Sequence, residues 1–171
     1  MQISDKLDLR MKKLFLTVLL MPIAVFAQDD FSLTEKVQSL LGFTMPTISA
    51  DELNAMQTPI LLDARELKEF EVSHIPSAKY VGYQDFSLSK VSDFAKTDTI
   101  VVYCTVGYRS EKIAEQLSKA GYQNVYNLFG GIFSWKNNSY SVVDIENQKT
   151  QRVHCYNKKW SILLLNGEKV Y

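Results

Sequence analysis

The run Cys104-Thr105-Val106-Gly107-Tyr108-Arg109-Ser110 gathers a thiol, a guanidinium and two hydroxyl side chains of the Ser/Thr type around one glycine. It follows directly on Thr99-Ile100-Val101-Val102-Tyr103, a β-branched stretch of the kind found in strands buried on both faces. Ligands of parallel α/β sheets sit beyond the carboxyl ends of the strands, and Cys104 stands at such an end, with a helix expected just after Arg109. Three effects would stabilise an anionic sulfur there: the positive end of the helix, backbone N–H groups curling around the sulfur, and the charge of Arg109. Gly107 permits the curvature of a closed cradle, and Ser110 can cap the helix or donate to the loop. The chemistry implied is nucleophilic, with Cys104 attacking, holding a group covalently and passing it on. If Arg109 acts through its charge, Arg109→Ala should lower that reactivity far more than it lowers stability. The competing reading is an inert cysteine beside an apolar strand.

Other chemistries find less support. The two histidines, His74 and His154, show no ligand spacing with the cysteines, so no metal is expected. No glycine-rich nucleotide loop occurs, so no cofactor is expected. Tyr126 and Trp135 read as core aromatics. Cys155 could pair with Cys104 in an oxidising compartment, but the preferred reading is a small core residue sharing a strand face with Val153. His154 and Tyr156 are expected on a solvent-facing strand edge.

The elements that must position the cysteine loop can be placed from pattern. Ser49 and Glu52 have capping-box spacing and open a short helix, after an amphipathic preface around Phe31 to Leu41. Ile60-Leu61-Leu62 and Thr99 to Tyr103 read as central strands, and Asn124 to Leu128 as a further one. Helices are expected from Arg65 to Val72, around Lys90 to Ala95 and from Ser110 to Ala120, the last stopped by Gly121. Gly130-Gly131 leads into another that carries Trp135. The alternation predicts an α/β fold with a parallel sheet. From Gln151 to Tyr171 the pattern changes, and Asn166-Gly167 suggests a hairpin turn, hence a short C-terminal antiparallel β element.

Several of these residues fall into a known order. Asp63-Ala64-Arg65, Glu69-Phe70 and His74-Ile75-Pro76-Ser77-Ala78, then Val101 to Ser110, then Ala114, Leu117, Gly121-Tyr122, Gly130-Gly131 and Trp135, resemble the rhodanese family over Ser49 to about Val142. The resemblance implies a doubly wound parallel sheet of about five strands with helices on both faces. It also implies a sulfurtransferase, in which Cys104 takes a sulfane sulfur from thiosulfate or a persulfide, holds it as a persulfide and gives it to a thiol or cyanide. Thr105, Val106, Gly107, Tyr108, Arg109 and Ser110 would form the substrate loop, while Asp63, Arg65 and His74 would support neighbouring turns. A thioredoxin-like or carrier protein is a further candidate partner. Ser73 and Ser77 stand where the family commonly has glycines. Thr105, Val106 and Tyr108 replace charged or small polar residues, which weakens the expectation of efficient thiosulfate use. Two rivals remain: a rhodanese-like sulfur-carrier or protein-binding module without efficient turnover, and a Cys-dependent phosphatase or arsenate reductase. The phosphatases of related fold use Cys-x5-Arg, one residue longer than the loop here, and the shorter loop better suits a single sulfur.

Length and composition fit one folded domain, with 171 residues, 46% hydrophobic and 22% charged. Two cysteines are too few for a disulfide scaffold. Lys and Arg number 19 against 19 Asp and Glu, and no basic run follows Lys13, so no nucleic-acid or anionic-membrane partner is expected. Met11-Lys12-Lys13, the apolar run Leu14 to Ala27 and the small residues Val25 and Ala27 have the form of a signal peptide cleaved after Ala27. The run is shorter than the ~20 residues of a membrane span, so the expected product is periplasmic or secreted, with no stable span. The expected organisation is 1–27 upstream extension and signal peptide, 28–48 preface, 49–143 rhodanese-like domain and 144–171 C-terminal extension.

Overall fold

The structure, a computed structural model, describes residues 33–171. The expected signal peptide, its cleavage point and the start of the preface lie outside the described residues. Residues 33–38 form a helical segment. It is followed by β1 (Thr47–Ile48), α1 (Ala50–Ala55), β2 (Ile60–Asp63), α2 (Leu67–Val72), β3 (Lys79–Tyr80), a 3-10 turn (Leu88–Val91), β4 (Thr99–Tyr103), α3 (Tyr108–Lys119), β5 (Asn124–Leu128) and α4 (Gly131–Asn137). The tail adds β6 (Val142–Val143), β7 (Lys149–Thr150), β8 (Arg152–His154), a second 3-10 turn (Ser161–Leu163) and β9 (Glu168–Val170).

Five strands form one wholly parallel sheet in the order β1-β5-β4-β2-β3. The chain runs outward from β2 to β3 and returns on the other side of β2 as β4. The end of β4 therefore faces the crevice that such a reversal of strand order opens. Side-chain alternation divides the core. Ile100 and Val102 pack with Leu62, Val125 and the α3 residues Ile113, Ala114 and Leu117 on one face. Val101 and Tyr103 pack with Leu61, Leu128, Leu53 of α1, and Ile132 and Phe133 of α4 on the other. Both faces are covered from Ile100 onward, which is why β4 is apolar there.

Local signals explain where helices begin. The Ser49–Glu52 capping box is formed and opens α1. The expected helix from Arg65 starts only at Leu67, because the backbone N–H and guanidinium of Arg65 both turn back to Asp63. The stretch expected around Lys90 to Ala95 is a 3-10 turn instead. Its one buried anchor is Val91, and Lys90 is drawn away to donate to Val81 O and Asp85. Among the described residues no helix is long and apolar enough to cross a membrane.

A small antiparallel pair is present, formed by β6 and β7, but Asn166-Gly167 is not its turn. β8 and β9 pair parallel, joined by a crossover. The local preference of Asn-Gly for a hairpin yields to burial of Leu163 and Leu164 in the same core as Val153, Cys155 and Phe133. Gly167, at φ 114°, serves close approach instead, since a Cβ there would lie 2.9 Å from Gln151 O. His154 is also placed differently from the expected wet edge: it is 4% exposed. β8 packs against α2, so Val153 and His154 are both covered, and Arg152 alone of the strand is exposed.

The tail is thus part of the core rather than an appendage. Leu164→Ala is expected to lower the unfolding free energy by about 2–5 kcal/mol, as for other fully buried leucines, and chemical denaturation with an unchanged slope checks it.

Candidate active site

The geometry around Cys104 is set by backbone first. Cys104 is 2% exposed, and the N–H of Gly107 donates to its Sγ at 3.1 Å. Gly107 reaches this orientation at φ 111°, a region that favours glycine, and α3 begins at the next residue. Its carbonyl is held from behind, since Asn127 Nδ2 donates to Gly107 O at 3.0 Å and Ser110 Oγ donates to Asn127 Oδ1 at 2.7 Å. On the other side, Ile132 N–H donates to Cys104 O at 2.9 Å. This approach requires Gly131, where a Cβ would fall 2.3 Å from Cys104 O.

Arg109 does not point its charge freely at the sulfur. Its Nη1 and Nη2 donate to the Glu69 carboxylate at 2.7 and 2.9 Å, and Nη2 also reaches Thr105 Oγ1 at 2.8 Å. Thr105 Oγ1 donates to Glu69 at 3.1 Å, and Glu66 N–H donates to Glu69 at 3.0 Å. The Glu69 carboxylate therefore receives four donors, its full complement. Burial pushes the Glu69 carboxyl up, but the bonds and charge of Arg109, with Arg65 beyond, outweigh it and hold the group below its usual range. Tyr156 of the tail lies over the same guanidinium, with its ring centroid 5.4 Å from Cζ.

Asp63 and Arg65 form a second buried ion pair, with Nη2 to Oδ2 at 2.6 Å, and Arg65 Nη2 also donates to Ser73 O. Ser73, one of the two serines that depart from the family resemblance, uses its hydroxyl to donate to Arg152 O and so ties β8 to the end of α2. His74 stacks on Phe70 at 4.0 Å and bridges Val143 in both directions through its backbone. Burial pushes its imidazole below the ordinary histidine value. None of Asp63, Arg65 and His74 lines the opening at Cys104.

That opening is a cavity of about 450 Å³. Cys104, Thr105, Val106, Tyr108 and Arg109 of the loop line it, together with Glu66, Tyr83 and Gln84. Leu40, Tyr156 and Trp160 complete it from segments earlier and later in the chain. Cys155 is a buried free thiol in the core beside Val153, and burial pushes it up; Cys104 is also free. Among the described residues no cluster of His, Cys, Asp and Glu is arranged to hold a metal ion.

Residues 49–138 match the family model for the Rhodanese-like domain. The chain belongs to that family. It is 29% identical over 93 residues to the thiosulfate sulfurtransferase GlpE of Coxiella burnetii, covering 52% of this chain and 82% of that protein. It is 30% identical over 97 residues to the putative sulfur carrier protein YrkF of Bacillus subtilis, covering 57% of this chain but 49% of that protein. A tRNA uridine(34) hydroxylase of Pectobacterium carotovorum shares 33% identity over 52% of this chain, a region that spans 27% of the relative. The rhodanese-like domain of Anabaena sp Alr3790 superposes with a TM-score of 0.55 at 24% identity, covering 58% of this chain and 80% of that one, which supports the fold.

Glu69, Asn127, the two tail aromatics and the lining residues Leu40, Glu66, Tyr83 and Gln84 are site-forming residues that sequence reasoning did not single out. Asn127 carried a signal, a polar residue inside an otherwise apolar stretch of strand; Glu69 appeared only as a motif position. The electrostatic expectation for Arg109 changes accordingly. Arg109→Ala leaves a buried carboxylate unpaired and is expected to cost about 3–5 kcal/mol, read by chemical denaturation. Because the Glu69 carboxyl is depressed, its contribution is complete above its ordinary value near 4.5 and is lost as the pH falls through the lower folded value. Unfolding measured across that acid limb should show a slope that Glu69→Gln removes.

Proposed function

We propose that this protein is a sulfurtransferase that moves a sulfane sulfur from a donor to a thiophilic acceptor through a persulfide on Cys104. The observation that carries the reading is the Gly107 N–H aimed at Cys104 Sγ at 3.1 Å, at the amino end of α3 and beside an open cavity. Membership of the rhodanese-like family and similarity to a protein named thiosulfate sulfurtransferase support the same chemistry.

In the first displacement the Cys104 thiolate attacks the outer sulfur of the donor, and the remainder leaves with the electron pair of the broken bond. In the second, a thiol or cyanide takes that sulfur and Cys104 returns as thiolate. The fixed N–H of Gly107 and the amino end of α3 stabilise the negative sulfur in both states without needing to reorganise. Thr105, Val106, Tyr108 and Arg109 shape the approach, Ser110 holds the cradle through Asn127, and Asp63, Arg65 and His74 support the surrounding turns. The apolar run Leu14 to Ala27 behind Lys12-Lys13 supports export to the periplasm or beyond.

Incubation with thiosulfate, a polysulfide or an organic persulfide, followed by peptide mass spectrometry, is expected to find one added sulfur on Cys104. Cyanide should then discharge it as thiocyanate. Cys104→Ser should carry none, and absence of loading from every donor would remove the reading.

A further inference from the structure

The usual demand on a site for a small dianion is an uncompensated positive charge, and the Cys104 cavity does not supply one. Its single lining cation, Arg109, is bidentate to Glu69, hydrogen-bonded to Thr105, covered by the Tyr156 ring and only 14% exposed at its side chain. Glu66 adds a carboxylate to the lining. The remaining wall is largely apolar or aromatic: Leu40, Tyr83, Val106, Tyr108, Tyr156 and Trp160. The cavity volume of about 450 Å³ exceeds what a four-oxygen-sized anion needs and falls within the range of small organic ligands.

Three of those wall residues come from outside residues 49–138: Leu40 before them, Tyr156 and Trp160 after. Their position is built, not incidental. Ser73 Oγ binds Arg152 O, and Lys136 Nζ binds Gln151 Oε1 at 2.6 Å, both at the start of β8. His154 Nδ1 then accepts the N–H of Tyr156 at 3.0 Å, and Leu163 and Leu164 are buried just past Trp160.

Resting on the sulfurtransferase reading, we infer that Tyr156 and Trp160 make this site selective for sulfane-sulfur donors bearing an apolar organic group and a single negative charge, such as organic thiosulfonates, over thiosulfate. The step balances without a further reactant. The Cys104 thiolate pair forms a bond to the donor's terminal sulfur, and the sulfonyl-to-sulfur bond breaks with its pair on the departing sulfinate. The charge lost by the thiolate reappears on the persulfide. The organic group stays in the aromatic cavity while the terminal sulfur meets Cys104, so its binding is used to position the reacting bond.

The test uses the full chain with benzenethiosulfonate and thiosulfate as alternative donors and cyanide as acceptor, following thiocyanate. The ratio of kcat/KM for the aryl donor over thiosulfate is expected to favour the aryl donor by about tenfold or more, the scale on which apolar pockets discriminate. Trp160→Ala should lower that ratio about tenfold, and Trp160→Phe should restore most of it. Tyr156 is 52% exposed, so Tyr156→Ala keeps the test independent of folding; it uncovers Arg109 and should shift the ratio toward thiosulfate. A wild-type preference for thiosulfate, or a ratio unchanged in both alanine variants, overturns the selectivity while leaving sulfur transfer standing. Failure of both donors to load Cys104 overturns the two together.

Discussion

A charged carboxylate buried among three elements is the constraint on which the site depends. Glu69 belongs to α2, yet its oxygens are filled by its own helix start, by the Thr105 hydroxyl and by Arg109 at the first turn of α3. A buried carboxylate is tolerated only when every acceptor position is used, so each of those donors is fixed in place. Two of them bracket the loop, at its second and last residues. With both ends held, the intervening backbone has little freedom, and the N–H of Gly107 turns inward to Cys104 Sγ. The cation that a local reading assigns to substrate is therefore committed to the architecture of the loop.

The same logic extends outward to the tail. Arg65, satisfied largely by Asp63, spends a further donor on Ser73 O, and the Ser73 hydroxyl passes the connection to β8. From there His154 orients the Tyr156 backbone, and Tyr156 lies over Arg109. A path of hydrogen bonds, closed by the contact of the Tyr156 ring with the guanidinium, thus runs from one buried ion pair, through β8, to the exposed side of the other. Residues far apart in sequence become neighbours of Cys104 along this path, although Arg65 Nη1 itself is buried without a partner.

What could be read from the sequence was local in origin. The β-branched run before Cys104, the glycine within the loop, the Ser49 to Glu52 spacing and the Gly130-Gly131 pair each encode their geometry within a few residues, and strand–helix alternation follows from them. What could not be read depends on which distant surfaces meet. Glu69 as the partner of Arg109 requires knowing that α2 faces the loop. Asn127 matters because β5 lies beside β4 in the register Val102↔Asn127. In the tail, Asn166-Gly167 expressed a real turn preference, but two buried leucines outweigh a turn worth far less. His154 was misplaced for a related reason: alternation assumes one face wet along its length, and in β8 the exposure ends at Arg152 where α2 covers the strand.

Neutralising Arg109 changes how an anionic sulfur is held. A full counter-charge attracts any anion that reaches it, including ones with no transferable sulfur, whereas an oriented N–H and a helix end act over a short range on the atom placed against them. Stabilisation by such fixed dipoles depends on geometry more than on net charge, and the water-poor surroundings of a 2% exposed sulfur strengthen it. The persulfide proposed for Cys104 would add one soft, polarisable atom beyond Sγ. Aromatic side chains are suitable neighbours for such an atom, because sulfur makes favourable contacts at their edges. On the proposed reading, Glu69 and the aromatic rim act to one end: the first holds the Arg109 guanidinium in an ion pair, and the second offers a surface that would distinguish what the sulfur is attached to.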